Sequence, residues 1–150
     1  MSTFSDSPTP VPYETTLLVR DHCLCLRAQR AARAMARRFD EAFRSIGITS
    51  GQFSLLMSLN RPKPPTLGSV AELLAMDRTT LTANIKPLEK RGLLTVTPDP
   101  ADRRARLLSL TPEGRAVLAE AVPLWHATQA AVEAAVPDPD AVRAGLDALA

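Results

Sequence analysis

The chain has 150 residues, 45% of them hydrophobic and 4% aromatic, with a formal net charge of +2. That is about one domain's worth, with an aliphatic core, and no apolar run approaches the ~20 residues of a membrane-spanning helix. Two cysteines give no disulfide framework, so a disulfide-stapled secreted scaffold is excluded and a reduced, cytoplasmic protein is expected.

Residues 1–12 are polar and proline-rich and lack the basic start and apolar stretch of a signal peptide, so a disordered tail is expected. From about Glu14 to Ile46, the residues Leu17, Leu24, Ala28, Ala31, Met35, Phe39, Ala42 and Ile46 recur at spacings of three, four or seven. This predicts one long helix with an apolar stripe, stopped at Gly47. Between Arg20 and Arg44 it carries seven arginines against Asp21, Asp40 and Glu41. On such a helix Cys23 and Cys25 point about 200° apart and cannot bridge each other without unwinding it.

Thr49 with Gln52 reads as a capping box opening a second helix, whose apolar face is Phe53, Leu56 and Met57. Three prolines between Asn60 and Pro65 make a connector. A short third helix follows Thr66, with Leu67, Val70, Leu73 and Leu74 expected on its buried side. Asp77 caps a fourth helix that runs to about Arg91 on the inner stripe Leu81, Ile85 and Leu88, and Gly92 ends it. Pro87 lies inside this helix, where it removes one hydrogen bond and should introduce a kink.

Two strands follow, Leu93 to Thr97 and Arg106 to Leu110, both alternating apolar and polar. Thr111 before Pro112 opens a last long helix, with Val117, Leu118, Ala121, Val122 and Trp125 inward. Pro123 should bend it, and Pro137 and Pro139 set off a final short helix from Ala141 to Leu149. Trp125 could stack on an aromatic ligand, but a packing anchor is the favoured reading.

Between Arg78 and Arg106 there are seven basic residues against Glu89, Asp99 and Asp102, whereas from Thr111 onward two arginines face six acids. Basic charge is therefore local, as a phosphate backbone requires. Two short helices followed by a hairpin make a winged helix-turn-helix, whose second helix can enter the major groove. The fourth helix presents Arg78, Thr79, Thr80, Thr82, Asn84 and Lys86 as candidate DNA contacts. Arg78 and Lys86 suit guanine or phosphate, Asn84 suits adenine, and the helix start at Thr79 and Thr80 favours phosphate. Arg103 and Arg104 at the hairpin tip can reach the minor groove. Asp102 is expected to hold the tip's shape by accepting from an arginine or the loop backbone.

The segments LEKRGLL (Leu88 to Leu94) and DPADRRARLLSLTPEG (Asp99 to Gly114) resemble the multiple-antibiotic-resistance regulator (MarR) family. The family's wing motif falls on Asp102, Arg104, Leu110 and Thr111, and the element order is similar from Glu14 to the C-terminus. Pro87 departs from the commonest pattern. The resemblance implies a mainly α, winged helix-turn-helix homodimer with a two-stranded wing. Residues 13–150 would form a single such domain, with 13–48 and 111–150 as dimerisation helices and 49–110 as the DNA-binding lobe. It further implies double-stranded DNA with a near-palindromic operator as partner, and repression relieved by a small, often phenolic, effector. Candidate pocket residues are His22, Cys25, Phe53 and Met57.

Cys23 and Cys25, beside Arg20, His22 and Arg27, admit a redox-sensing role, or they are simply small packed residues. His22 and His126 complete no recognisable metal site, and no cofactor is expected. No nucleophile–base pairing or phosphate-binding glycine loop points to an enzyme. A winged helix that binds protein instead would present apolar residues where this chain carries Arg78, Lys86, Arg103 and Arg104.

Overall fold

The computed structural model describes residues 9–150, so the first eight residues of the expected tail lie outside the described residues. Residues 9–12 carry no regular secondary structure. The chain divides into two compact units between Ala34 and Met35.

In the first unit, α1 spans Tyr13–His22, and α2 (Leu24–Ala42) begins there and runs on into the second. The single long helix expected from the apolar stripe is therefore broken. Cys23 has extended backbone, φ −73° and ψ 108°. It closes one helix and opens the next: its N–H donates to the Val19 carbonyl at 2.9 Å, and its Sγ accepts from the Leu26 N–H at 3.4 Å. Leu17 and Leu24, seven apart, keep the stripe in phase across the break, which is why periodicity alone does not show it.

In the second unit, a 3-10 turn (Arg44–Ile46) ends at Gly47, whose φ is 68°. Next come α3 (Ser50–Ser58), α4 (Leu67–Leu73), α5 (Arg78–Lys90), β1 (Leu94–Pro98), β2 (Arg106–Leu110), α6 (Pro112–Glu133) and α7 (Pro139–Asp147). The expected caps are formed: Thr49 and Gln52 make the capping box of α3, Asp77 caps α5 and Thr111 caps α6; Thr66 caps α4 as well. The strands pair antiparallel with Leu94 opposite Leu110 and Val96 opposite Leu108. Residues 65 and 66 add a fragment to the free edge of β2, where the Leu108 N–H donates to the Pro65 carbonyl at 3.0 Å and Thr66 bridges to Leu107.

The core joins Phe43 and Phe53, with rings 4.9 Å apart, to Leu55, Leu56, Val70, Leu81, Ile85, Leu88, Leu94, Leu108 and Leu118. Trp125 packs half-buried against it. On α4 the buried pair is Val70 and Ala71, and Leu73 is 59% exposed. The helix is only two turns long, so its inward face is narrower than the apolar pattern suggests. α5 continues through Pro87 to Lys90. The ring leaves the Ala83 carbonyl without its usual donor, and Ala83 is exposed, so water can supply one. Among the described residues no helix is long and apolar enough to cross a membrane.

Candidate nucleic-acid interface

The lobe from Thr49 to Leu110 is built so that α5 and the wing present their polar faces outward. Leu81, Ile85 and Leu88 are buried. At about 100° per residue, Thr79, Ala83 and Lys86 then stand opposite them. With Arg78 and Thr82 they line a groove of about 350 Å³ along the exposed side of α5.

The threonines are not equivalent. Thr80 is committed to the helix start: its N–H donates to Asp77 Oδ1 at 2.8 Å and its hydroxyl to Asp77 Oδ2 at 2.6 Å. The Thr80 hydroxyl, and then its backbone N–H, hold the Asp77 carboxyl below the usual carboxylate range. Thr82 donates its hydroxyl to the Arg78 carbonyl at 2.7 Å, which leaves its oxygen lone pairs free to accept. Thr79 has no side-chain partner among the hydrogen bonds of the described residues.

Asn84 stands apart from the Arg78–Lys86 set. It flanks the buried stripe, and its amide donates to Met76 Sδ at 3.7 Å. It lines a separate recess of about 170 Å³ with Thr49, Gly51, Gln52, Leu55 and Pro87. Counting residues along α5 groups Asn84 with the outward set, but the angular position separates them.

The wing tip is ordered by two carboxylates. Asp99 Oδ1 accepts from the Ala101 N–H at 2.9 Å, and Asp102 Oδ1 accepts from the Arg104 N–H at 3.0 Å. The Ala105 N–H returns to the Asp102 carbonyl at 2.9 Å. Asp102 to Ala105 is thus a β-turn with an aspartate in its first position, a residue type favoured there because its side chain accepts from the turn's own backbone. Arg103 and Arg104 occupy the two central positions, and both are exposed.

Between the start of α4, the start of α5 and the wing root lies a cleft of about 350 Å³, lined by Thr66, Gly68, Arg78, Asp102, Arg104 and Arg106 among others. Arg106 and Gly68 are absent from the sequence-derived interface. The only signal for Gly68 is a glycine in the first turn of a helix, where that residue is unfavourable. Among the described residues, none of the four ion pairs involves Arg78, Lys86, Arg103 or Arg104.

The candidate effector residues are divided between the two units. Phe53 is buried against Phe43, and Met57 is half-buried. Both border a recess of about 420 Å³ with Ser54, Asn60, Arg61 and Leu73. His22 and Cys25 belong to the first unit. Both are exposed, and Cys25 Sγ accepts from Gln29 Nε2 at 3.2 Å. Cys23 and Cys25 are free thiols. Among the described residues, no three His, Cys, Asp or Glu side chains are gathered closely enough to hold a metal ion.

The MarR family model matches residues 48–105, from the end of the loop before α3 to the wing tip. The transcriptional activatory protein BadR of Rhodopseudomonas palustris is 33% identical over 97 residues, 63% of this chain and 55% of that protein. The organic hydroperoxide resistance transcriptional regulator of Bacillus subtilis is 30% identical over 99 residues, 66% of this chain and 67% of that protein. The chain therefore spans about half to two-thirds of the length of these curated relatives. Among solved structures, the transcriptional regulator MosR of M. tuberculosis in complex with DNA is similar with a TM-score of 0.79. Its identity is 38%, over 85% of this chain and 93% of that one.

Proposed function

The chain belongs to the MarR family, and we propose that it is a sequence-specific DNA-binding transcription regulator. It acts as a homodimer that sets α5 of each subunit in a major groove and each wing tip in the flanking minor groove of a near-palindromic operator. The observation that carries this reading is the set of exposed cations free of ion pairs on one lobe. Arg78 and Lys86 line the α5 groove, and Arg103 and Arg104 cap a turn braced by Asp102. Cations without internal partners are the donors that phosphates and base edges need. That the similar MosR structure is a complex with DNA supports DNA as the partner.

The regulator is a repressor released by a small aromatic acid. The recess beside α3 supports this: Phe53, Met57 and Leu73 supply apolar walls, and Arg61, whose Nε donates to the Ser58 carbonyl at 2.9 Å, also lines it and keeps its terminal N–H groups for a carboxylate. A gel-shift titration against the promoter DNA flanking its own gene, with excess unrelated DNA, tests the reading. A discrete band is expected to survive the competitor, to fade steeply with salt and to be released by phenolic acids. Arg104→Ala should weaken that band by roughly 1–3 kcal/mol. Absence of any specific band from a folded dimer would favour a protein-binding winged helix.

A second reading, a cysteine-based redox regulator, is favoured by Cys23's place at the break between α1 and α2. The objection that a helix keeps Cys23 and Cys25 apart does not hold at a residue with extended backbone. The Bacillus subtilis relative is named for organic hydroperoxide resistance. Here two thiols and one hydroperoxide would give a disulfide, an alcohol and water. The same band should then disappear with an organic hydroperoxide and return with dithiothreitol, and only when both cysteines are present. Peroxide-insensitive binding would leave the aromatic-acid reading alone.

A further inference from the structure

Resting on the DNA-binding reading above, we infer that Gly68 is a positioning residue. Its missing side chain lets Arg78 lie back over the first turn of α4, where the guanidinium grips a backbone phosphate rather than a base. A Cβ at position 68 would stand 3.1 Å from Arg78 Nη2 and 3.8 Å from its Cζ. A side chain there would therefore crowd the guanidinium, which would have to give by a few tenths of an ångström for a methyl and by more for a branched residue. Gly68 lies in the first turn of α4 without a positive φ, and alanine is the better helix former, so the backbone of α4 itself gives no reason for glycine.

Arg78 is the first residue of α5 and borders two concavities at once. One is the outward groove of α5, and the other is the cleft it shares with Arg104 and Arg106 at the wing root. Three guanidinium groups meet one carboxylate in that cleft. Asp102 Oδ1 is already engaged by the Arg104 N–H. Arg106 Nη1 donates to the Arg103 and Ala105 carbonyls at 3.2 and 3.4 Å, which ties it to the wing root. The cleft is thus left with net positive charge and free donors from Arg78 and Arg104.

The position explains the need. With α5 in a major groove and the wing tip in the adjacent minor groove, the sugar–phosphate strand between the grooves must cross the gap between them. That gap holds the cleft. A guanidinium lying there offers two parallel N–H donors to one phosphate. Arg78 then sets the register of the lobe on the duplex, and base reading falls to Thr79, Thr82 and Lys86 along the outward face.

The test is equilibrium binding of the full chain to a labelled mixed-sequence DNA duplex, followed by anisotropy across a KCl series. The chains compared are wild type, G68A, G68V, R78A and G68V/R78A. R78A should weaken binding about tenfold at low salt and lower the slope of log K against log[KCl] by ~0.9, one phosphate contact. G68V should reproduce both effects when Arg78 is present and add nothing when it is absent. G68A should fall between. G68A should also be no less stable than wild type in urea, since alanine is the better helix former; binding and stability would then move in opposite directions, which a merely structural glycine does not produce. Equal weakening by G68V in both backgrounds, or wild-type affinity and slope in G68A, G68V or R78A, overturns the inference and leaves the DNA-binding reading intact. Failure of the wild type to bind the duplex at any salt overturns both.

Discussion

At Ala75, in the turn between α4 and α5, φ is 50°. The turn closes with the Met76 N–H on the Ala71 carbonyl at 2.9 Å and the Ala75 N–H on the Glu72 carbonyl at 3.1 Å, the paired bonds of a Schellman end. The same pair closes α5, where Leu93 bonds back to Leu88 and Gly92 to Glu89. There the left-handed residue is Gly92, at φ 72°. A Cβ in that conformation costs roughly 1–2 kcal/mol, and glycine's extra freedom in the unfolded chain offsets part of it. Ala75→Gly should therefore raise stability by up to about 1 kcal/mol in urea unfolding, with DNA affinity unchanged. A loss of stability would mean that the alanine methyl contributes packing that its exposure does not suggest. This residue also marks how far the sequence is readable. Thr49, Asp77 and Thr111 are legible as caps because a hydroxyl or carboxylate satisfies a backbone N–H within three residues. The turn at Ala75 gives no such signal, because the expected glycine is absent. Leu73 is misplaced for a related reason. Residue type and spacing show that a side chain is polar or apolar, but a short helix has room on its inner face for only some of them.

Among the elements, the seam between wing and α6 depends on one motif. Thr111 donates its N–H to the Leu93 carbonyl at 3.2 Å and its hydroxyl to the Gly92 carbonyl at 2.5 Å. It also accepts from the Gly114 N–H at 3.0 Å. The start of α6 is thereby fixed to the chain entering β1. Gly114 permits the approach, since a Cβ there would lie 2.0 Å from the Leu93 carbonyl oxygen. That is a collision with backbone, which cannot swing aside as a side chain does. Gly114→Ala should cost at least about 1–3 kcal/mol, read as a lower urea midpoint and as loss of the near-UV signal of Trp125 on α6. A midpoint equal to wild type would show that α6 can slide along the wing without penalty. Helices and wing strands are legible in the sequence because each carries a periodic apolar face. The break at Cys23 is not, because the stripe stays in phase across it. Nor is the Thr66–Leu107 bridge, since a single paired residue has no period, yet it holds the start of α4 to the wing and so builds the cleft beside Arg78.

On the scale of the whole molecule, the chain exposes apolar surface towards both ends. In the first unit Leu18 and Val19 on α1 are 59% and 51% exposed, and Leu24 at the start of α2 is 64% exposed. In the second, Val142 and Leu146 on α7 and Leu149 just after it are 44%, 44% and 64% exposed. The α7 residues recur at four and three, one face of a helix. Burying a leucine or valine is worth about 1.5–3 kcal/mol each, so leaving these in water is costly unless a partner covers them, and a second copy of the chain is the partner the family suggests. Leu146→Glu places a charge on that face while leaving the core and the lobe's cations untouched. It should shift the chain from dimer to monomer in sedimentation velocity. Operator affinity should fall with it, because a dimer's second lobe binds at the high effective concentration set by the first, and a monomer loses that gain. The residual binding should keep the salt dependence of one lobe, about half the slope of the dimer. A monomeric variant with full operator affinity would break the link between assembly and recognition. A variant still dimeric would move the interface off α7 and onto the apolar residues of α1, where Leu18→Glu makes the same test.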